Sequence, residues 1–290
     1  MIASPTLRLA LGAAMISFSP IFVRLVTVEA EVSAFYRVFF GAIILISYLL
    51  YKREYQRFNK QFLLIIVMAA FFFALDLGFW HKSIQYVGAG LSTLLANFQV
   101  IILTIVGFFF FKDRPTLIKL AAIPLALFGL FLILGSGDLN SKGYLAGIMF
   151  GLLTAISYAG YILCLRQARS GQDAHITTLQ EVTMVTVLTV FILGIYLMVN
   201  NISFVLPAKD IGWMFLYGLI SQTIGWLLIT SSLPYLPTSR VALILLLQPT
   251  LAYVWEVLIF DRLVTPLEAI GAFIAMLAIY IGSQETEKSP

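Results

Sequence analysis

The chain has 290 residues, of which 61% are hydrophobic and 11% are charged, and its mean hydropathy is +0.98. A soluble domain carries about 25% charged residues, so this composition excludes a soluble enzyme, a disordered chain and a nucleic-acid-binding protein. The net charge of +4 does not favour nucleic acid, because the basic residues stand in short turns between apolar runs. One cysteine and two histidines make a disulfide, a metal site or a haem centre improbable. We therefore expect an integral membrane protein.

Ten apolar runs are long enough to cross a bilayer, which requires about 20 residues. The predicted fold class is thus an all-α integral membrane protein with ten transmembrane helices and short connections. The first run lacks a clear cleavage site and is expected to remain as a helix. The runs are 6–26, 31–51, 62–81, 86–110, 115–135, 142–165, 176–199, 209–232, 238–260 and 265–283.

Basic residues predict the orientation, because cytoplasmic loops carry the excess of Lys and Arg. The side expected to be cytoplasmic carries Arg8, Lys52, Arg53, Arg57, Lys60, Lys112, Arg114, Lys119, Arg166, Arg169, Arg240 and Lys288. The other side carries only Arg24, Arg37, Lys82, Lys142, Lys209 and Arg262. The sequence therefore predicts a multi-pass protein of the inner membrane with both termini in the cytoplasm.

The two halves of the chain resemble each other at an offset of about 149 residues. The predicted repeats are 1–137 and 138–290, with five spans each. Because five is odd, the second repeat must be inverted relative to the first. Inverted repeats are typical of secondary transporters, whose substrate site lies near the bilayer midplane. The matched pairs are Ser83 with Ser232, Tyr86 with Tyr235, Leu94 with Leu243, Gln99 with Gln248, and Thr116 with Thr265.

Several segments resemble the drug/metabolite transporter superfamily, in its EamA family. The stretch 76–83, followed by 88–90 and 95–99, is similar to the third and fourth helices of that family. The segment 34–37 is similar to the start of its second helix, and Gln248-Pro249 is similar to part of its ninth. The resemblance implies a ten-helix metabolite transporter with a central cavity lined by helices 1, 3, 4, 6, 8 and 9.

Two features depart from the family pattern. Gln99 stands near a position where the family often has proline. The turns after the fourth and ninth spans carry Asp113 and Asp261 where a glutamate is usual.

Uncharged polar and aromatic side chains in the middle of the spans are the candidate substrate-binding residues. Such side chains either bond across helices or line a cavity, and the sequence leaves both interpretations open. Their recurrence in both halves favours a cavity, and the deep tryptophan among them suits stacking on a cargo. The candidates are Asn97, Gln99, Tyr158, Gln222, Trp226 and Gln248.

Three charged residues, Arg37, Asp76 and Glu256, are expected at one depth in the outward third of their spans. A charge inside the membrane is costly and needs a partner or a use. They either form an ion-pair cluster that holds the bundle together, or serve as a gate or coupling site for a cationic cargo or a proton. Glu181 is expected to be interfacial.

These features predict a secondary active transporter for a small organic metabolite, an amino acid or a similar zwitterion or cation, with export as the expected direction. Uptake of a cofactor-like metabolite and an intramembrane enzyme are the alternatives. No H-E-x-x-H, G-x-S-x-G or phosphate-binding loop occurs, so we expect neither catalysis nor direct use of ATP. The expected partners are the cargo and membrane lipid, with no cofactor or metal, and the expected unit is a monomer or a homodimer.

Overall fold

The computed structural model of the protein describes residues 4–54, 56–134, 143–170, 176–261 and 263–284, and every regular element within these ranges is a helix. A π-helix, Gly218–Gly225, and a 3-10 turn, Leu233–Tyr235, interrupt the α-helices. The α-helices are α1 Pro5–Ile16, α2 Ser19–Leu25, α3 Ala30–Lys52, α4 Lys60–Ala96, α5 Gln99–Phe110, α6 Leu117–Leu134, α7 Tyr144–Ser170, α8 Thr178–Val199, α9 Ala208–Tyr217, α10 Trp226–Thr230, α11 Thr238–Leu245, α12 Leu247–Phe260 and α13 Pro266–Ser283.

Over these ranges, nine helical segments are long and apolar enough to cross a membrane. A shorter apolar helix, Leu117–Ile133, occupies the remaining predicted run. The expectation of an all-helical membrane fold is confirmed. The predicted connections around Lys142, His175 and Arg262 lie outside the described residues.

The helical assignment of α4 continues through the predicted boundary between the third and fourth spans, although two separate apolar spans, Lys60–Val87 and Leu91–Phe110, meet there. The hydroxyl of Ser92 donates a hydrogen bond of 3.2 Å to the carbonyl of Trp80. Twelve residues of straight helix cover about 18 Å, so α4 must reverse its direction between these two residues. The third and fourth spans are therefore the two arms of α4, the second continued by α5.

Besides the span that contains the π-helix, three described spans break near their middle. The first breaks at Ser17 and Phe18, just ahead of Pro20. The fourth breaks at Asn97 and the ninth at Leu246, which are matched positions of the two halves. Pro249 explains the break at Leu246, since proline lacks the N–H that the preceding turn would need. At Asn97 the side chain instead donates to the Thr93 carbonyl at 2.7 Å.

Left-handed backbone positions also recur in both halves. Within the described residues, four non-glycine residues have a positive φ. Arg53 and Asn201 form one pair, after α3 and α8, and Lys112 and Asp261 form the other, after α5 and α12. Each pair is separated by the offset that relates the two halves. The helices therefore end in the same way at corresponding positions.

Corresponding helices pack against each other in opposite directions. Phe35 of α3 lies against Gly194 of α8, whereas Gln56, after α3, exchanges two hydrogen bonds with Gln180 near the start of α8. In the same way, α6 and α13 cross with Gly129 against Gly271. Antiparallel packing of matched helices is the arrangement expected of an inverted repeat.

Glycines allow several of these close approaches. Gly147 of α7 lies against Tyr86 and Val87, and Gly151 lies against Leu95 and Ser83. The spacing of four residues places both glycines on one face of α7, which lets α4 approach closely. The corresponding pair of spans, the first and the eighth, also approaches closely, with Gly12 of α1 against Ile229 of α10.

Candidate functional site

A cavity of about 150 Å³ lies between the two halves. Its lining extends from the breaks near the middle of the spans to the turn between α2 and α3 and the reversal of α4, so the cavity reaches one end of the bundle. We call this the cavity end. The lining residues fall within 16–23 of the first span, 34–37 of α3, 73–81 and 93–97 of α4, 154–158 of α7, 217–226 around the π-helix, and 248–252 of α12.

Arg37 is the cation of the cavity, and its side chain is held firmly. It is 5% exposed. Its Nε donates to Oε1 of Gln222 at 3.2 Å, and its Nη1 donates to the hydroxyl of Tyr217 at 3.3 Å. The guanidinium also lies 5.1 Å from the Tyr217 ring centroid and 5.8 Å from that of Phe73. These contacts fix the guanidinium group of Arg37 at the cavity wall.

Asp76 is the anion of the cavity. Its half-buried carboxylate lines the same space as Arg37. No described residue donates a hydrogen bond to it, and no described cation lies within 4.0 Å. A carboxylate held in a low-dielectric setting without such a partner is costly. Asp76 is therefore available to a cationic group that enters the cavity.

Aromatic rings form one wall of the cavity. The ring of Trp226 packs edge-on against Tyr161 at 4.6 Å, Phe73 at 5.6 Å and Tyr158 at 6.2 Å between centroids. The indole Nε1 of Trp226 has no hydrogen-bond partner among the described residues. Gln248 Nε2 donates to the hydroxyl of Tyr158 at 2.9 Å. This wall therefore supplies aromatic surface to the cavity, with the Trp226 indole N–H buried behind it.

The π-helix accounts for the positions of Tyr217 and Trp226. These residues are nine apart, which is about two and a half turns of an α-helix and would place them on opposite faces. The π-helix between them has wider turns with i→i+5 hydrogen bonds, so the helix rotates less per residue. Both residues consequently line the cavity.

Of the nine predicted site residues, six line this cavity: Arg37, Asp76, Asn97, Tyr158, Trp226 and Gln248. Gln222 lies one layer behind, where it accepts from Arg37 and donates to Thr186 Oγ1 at 3.0 Å. Gln99 is fully buried away from the lining.

The structure does not bring Glu256 to the other two charges. Its Oε1 lies 3.9 Å from Nη1 of Arg24, and the Arg24 guanidinium lies 4.1 Å from the Phe260 ring centroid. The expected cluster of three charges is therefore reduced to Arg37 and Asp76.

Glu181 lies in the first turn of α8, and its interfacial depth stays a prediction. Glu181 is 0% exposed and lies 3.7 Å from Nε of Arg169. The fold therefore adds that Glu181 faces the interior of the bundle, which the sequence does not indicate.

Sequence reasoning also missed Phe73 and Tyr217, both of which line the cavity and contact Arg37. Each stands in an apolar run rich in aromatic residues. No signal in the sequence distinguishes these rings from neighbours that face outward.

At the opposite end of the bundle, polar contacts tie three chain segments together. Arg166, near the end of α7, lies 3.7 Å from Asp113, which follows α5. Arg166 Nη1 donates to the carbonyl of Leu236 at 3.1 Å and also to Thr238 Oγ1. The backbone N–H of Thr238, at the start of α11, donates to the Asp113 carboxylate. We call this the tied end.

Comparison with known proteins places this architecture in a family. The EamA-like transporter family matches the chain twice, over residues 5–135 and 145–283. A crystal structure of a protein superposes with a TM-score of 0.81, covering 98% of this chain and 99% of that chain. Its sequence identity is 14%, so this likeness shows the fold alone.

Three curated relatives carry transporter names. Uncharacterized transporter YxxF of Bacillus subtilis (strain 168) is 24% identical over 71% of this chain and 64% of its own length. Uncharacterized transporter YwfM of the same organism is 23% identical over 77% of this chain and 74% of its own length. The Probable amino-acid metabolite efflux pump of Escherichia coli (strain K12) is 26% identical over 67% of each chain.

The chain belongs to the EamA-like transporter family, and it is a multi-pass membrane protein with a transport function. The resemblance inferred from the sequence is confirmed.

Proposed function

We propose that the protein is a secondary active transporter that exports a small zwitterion or cation, with an amino acid as the leading cargo class. The observation that carries this proposal is that one cavity is lined by both Arg37 and Asp76, and no described residue donates a hydrogen bond to the Asp76 carboxylate. Arg37 suits a carboxylate, because its planar fork can bind two oxygens. Asp76 suits an ammonium group.

The aromatic wall extends this recognition to the rest of the cargo. An apolar or aromatic side chain placed against Trp226 and Phe73 would bury its surface, and a cationic group would also be attracted to the ring faces. Asn97 and Gln248 add amide groups to the lining. A zwitterion with an aromatic side chain therefore matches Arg37, Asp76 and the aromatic wall.

The proposed mechanism is alternating access between two inverted repeats of five spans each. Two observations support it. Matched helices pack antiparallel, and helix breaks recur at the matched positions Asn97 and Leu246. The cavity lies at one end while the other end is tied by Asp113, Arg166 and Thr238. Release on the second side requires the tie to open and the cavity end to close.

The proposed orientation follows from charge. The segments at the tied end belong to the side that carries most of the Lys and Arg, so we assign that end to the cytoplasm. Both termini then lie in the cytoplasm of a cell whose inner membrane holds the protein. The name of the Escherichia coli relative supports export and an amino-acid cargo.

Counterflow in proteoliposomes tests the proposal. Vesicles loaded with unlabelled phenylalanine should show a transient accumulation of external labelled phenylalanine, and protein-free vesicles should not. Phenethylamine lacks the carboxylate and phenylpropionate lacks the ammonium, so each should compete more weakly than phenylalanine. A channel would equilibrate the label without transient accumulation, and an enzyme would yield an altered product. The absence of counterflow for phenylalanine and for a panel of other amino acids would contradict the proposal.

A further inference from the structure

Gln99 is a buried amide that has no use in the observed conformation. Its side chain is 0% exposed, and neither its Oε1 nor its Nε2 has a hydrogen-bond partner in the described part of the chain. An amide buried without hydrogen bonds is unfavourable. Such a group is explained if another conformation supplies its partner.

The position of Gln99 corresponds to that of Gln248 in the other half. Gln99 is the first residue of α5, directly after the break at Asn97 and Phe98. Gln248 is the second residue of α12, directly after the break at Leu246. Gln248 lines the cavity and donates to Tyr158. The two amides are therefore matched in the repeat, but one faces the cavity and the other is enclosed.

The helix face that carries Gln99 leads directly to the tied end. Gln99, Leu103 and Gly107 are spaced by four residues, lie on one face of α5 and are all buried. A Cβ atom placed on Gly107 would lie 2.8 Å from Asp113 Oδ2 and 2.9 Å from Thr238 Cβ. Separation of the segments that Asp113 and Thr238 join would therefore uncover this face from Gly107 back towards Gln99.

We propose that Gln99 binds the cargo when the tied end is open, in the role that Gln248 has when the cavity end is open. This inference rests on the proposed function, and it deepens that function by assigning one amide to each conformation. Gln99 is unsatisfied in the present conformation because its partner, the cargo, reaches it only from the other side.

The test measures the half-saturation concentration for labelled phenylalanine separately at the two faces of vesicles with uniformly oriented protein. Gln99→Leu should raise this concentration about two- to tenfold at the tied-end face, the effect of one lost hydrogen bond. It should leave the value at the cavity face unchanged. Gln248→Leu, the matched control, should show the opposite asymmetry.

Thermal stability gives an independent readout. Because Gln99 has no bond to lose, Gln99→Leu should not lower the melting temperature. Gln99→Met serves as a second variant if leucine packs poorly, because methionine is unbranched like glutamine. It should give the same asymmetry between the two faces.

The failures of the two proposals are distinguishable. Wild-type vesicles without counterflow would overturn the proposed function. Wild-type counterflow combined with Gln99 variants that match the wild type at both faces, or that lose affinity at the cavity face, would overturn the assignment of Gln99 alone.

Discussion

Gln222 joins Arg37 to Thr186, a residue of the other half at the position that matches Arg37 in the repeat. Its Oε1 accepts from Arg37 at 3.2 Å, and its Nε2 donates to Thr186 Oγ1 at 3.0 Å. Since both ends of the amide are used, its orientation is fixed, and the guanidinium is directed at the cavity wall. Gln222 is thus a positioning residue for Arg37 and does not itself line the cavity.

Replacement of Gln222 should therefore weaken cargo binding through Arg37. A hydrogen bond to a charged group contributes about 1.5–3 kcal/mol. We expect Gln222→Leu to raise the half-saturation concentration for phenylalanine roughly tenfold, which corresponds to about 1.4 kcal/mol. Competition by phenethylamine, which has no carboxylate, should change little. Thr186→Val removes only the outer bond and is the milder control. Equal losses of affinity for phenylalanine and for phenethylamine would argue against this role.

Asp76→Asn should fold normally but lose recognition of the ammonium group. Among the described residues the carboxylate accepts no hydrogen bond and has no cation within 4.0 Å, so its replacement breaks no direct contact. We expect an unchanged melting temperature, weak counterflow, and loss of the advantage of phenylalanine over phenylpropionate. Glu256→Gln is the matched control. It alters a partly exposed ion pair with Arg24, and exposed pairs contribute about 0–1 kcal/mol. A clear drop in the melting temperature of Asp76→Asn alone would indicate a structural role.

Loss of the contact between Asp113 and Arg166 should shift the protein towards the conformation in which the tied end is open. Asp113→Asn weakens the ion pair and the bond from the Thr238 N–H. A cysteine placed at Leu103, in a Cys164→Ser background, should then react faster with an impermeant maleimide added at the tied end. A shift of about 1.4 kcal/mol would give a tenfold change. Arg24→Gln, at the opposite end, should leave the labelling rate unchanged. Equal rates for Asp113→Asn and its parent would contradict the role of the tie.

The two turns that follow α5 and α12 should lie on opposite sides of the membrane. Arg114 and Leu263 are exposed in these turns, and Leu263 is 91% exposed. Cysteines at the two positions, in a Cys164→Ser background, should react with an impermeant reagent from different sides of sealed vesicles. Lysed vesicles provide the control for intrinsic reactivity. Labelling of both positions from one side would refute the inverted arrangement.

Gly271→Ala should destabilise the protein, because α6 and α13 touch through their backbones. A Cβ atom on Gly271 would lie 2.7 Å from the carbonyl oxygen of Gly129, and backbone cannot move aside as a side chain can. Overpacking of this kind costs about 1–3 kcal/mol. Gly212→Ala is the control. It lies in α9 with no atom within 4 Å of the added carbon, so it should be neutral or stabilising by up to about 1 kcal/mol. Equal melting temperatures for the two variants would contradict the close crossing.

The sequence predicted the spans well because long apolar runs leave the chain few alternatives in a bilayer. It placed a turn close to the reversal of α4, but it did not predict the continuous helix or the hydrogen bond from Ser92 to Trp80, which depend on tertiary folding. The repeat was visible in only a few residue identities, whereas the left-handed positions Lys112 and Asp261 correspond directly in backbone conformation. Backbone geometry is thus shared between the halves where side chains are not.

Only part of the candidate site was predicted, and the cause again lies in the apolar character of the spans. Polar residues inside apolar runs are conspicuous, so Arg37, Asp76, Asn97 and Gln248 could be selected as candidates. Their depth along a span can also be estimated. The rotation of each helix about its own axis cannot be read reliably in runs that are apolar on every face. Glu256 was therefore assigned to the wrong neighbours.

The π-helix Gly218–Gly225 makes the number of residues in this span as important as their identity. Deletion of one residue within it would allow regular α-helical hydrogen bonding to resume, and the segment that follows would rotate relative to Tyr217. Trp226 would then turn away from the cavity, although the span would remain apolar and long enough to cross the membrane. Homologous chains that differ by a single insertion or deletion at this point would thus present different cavity walls while every other lining residue stayed the same.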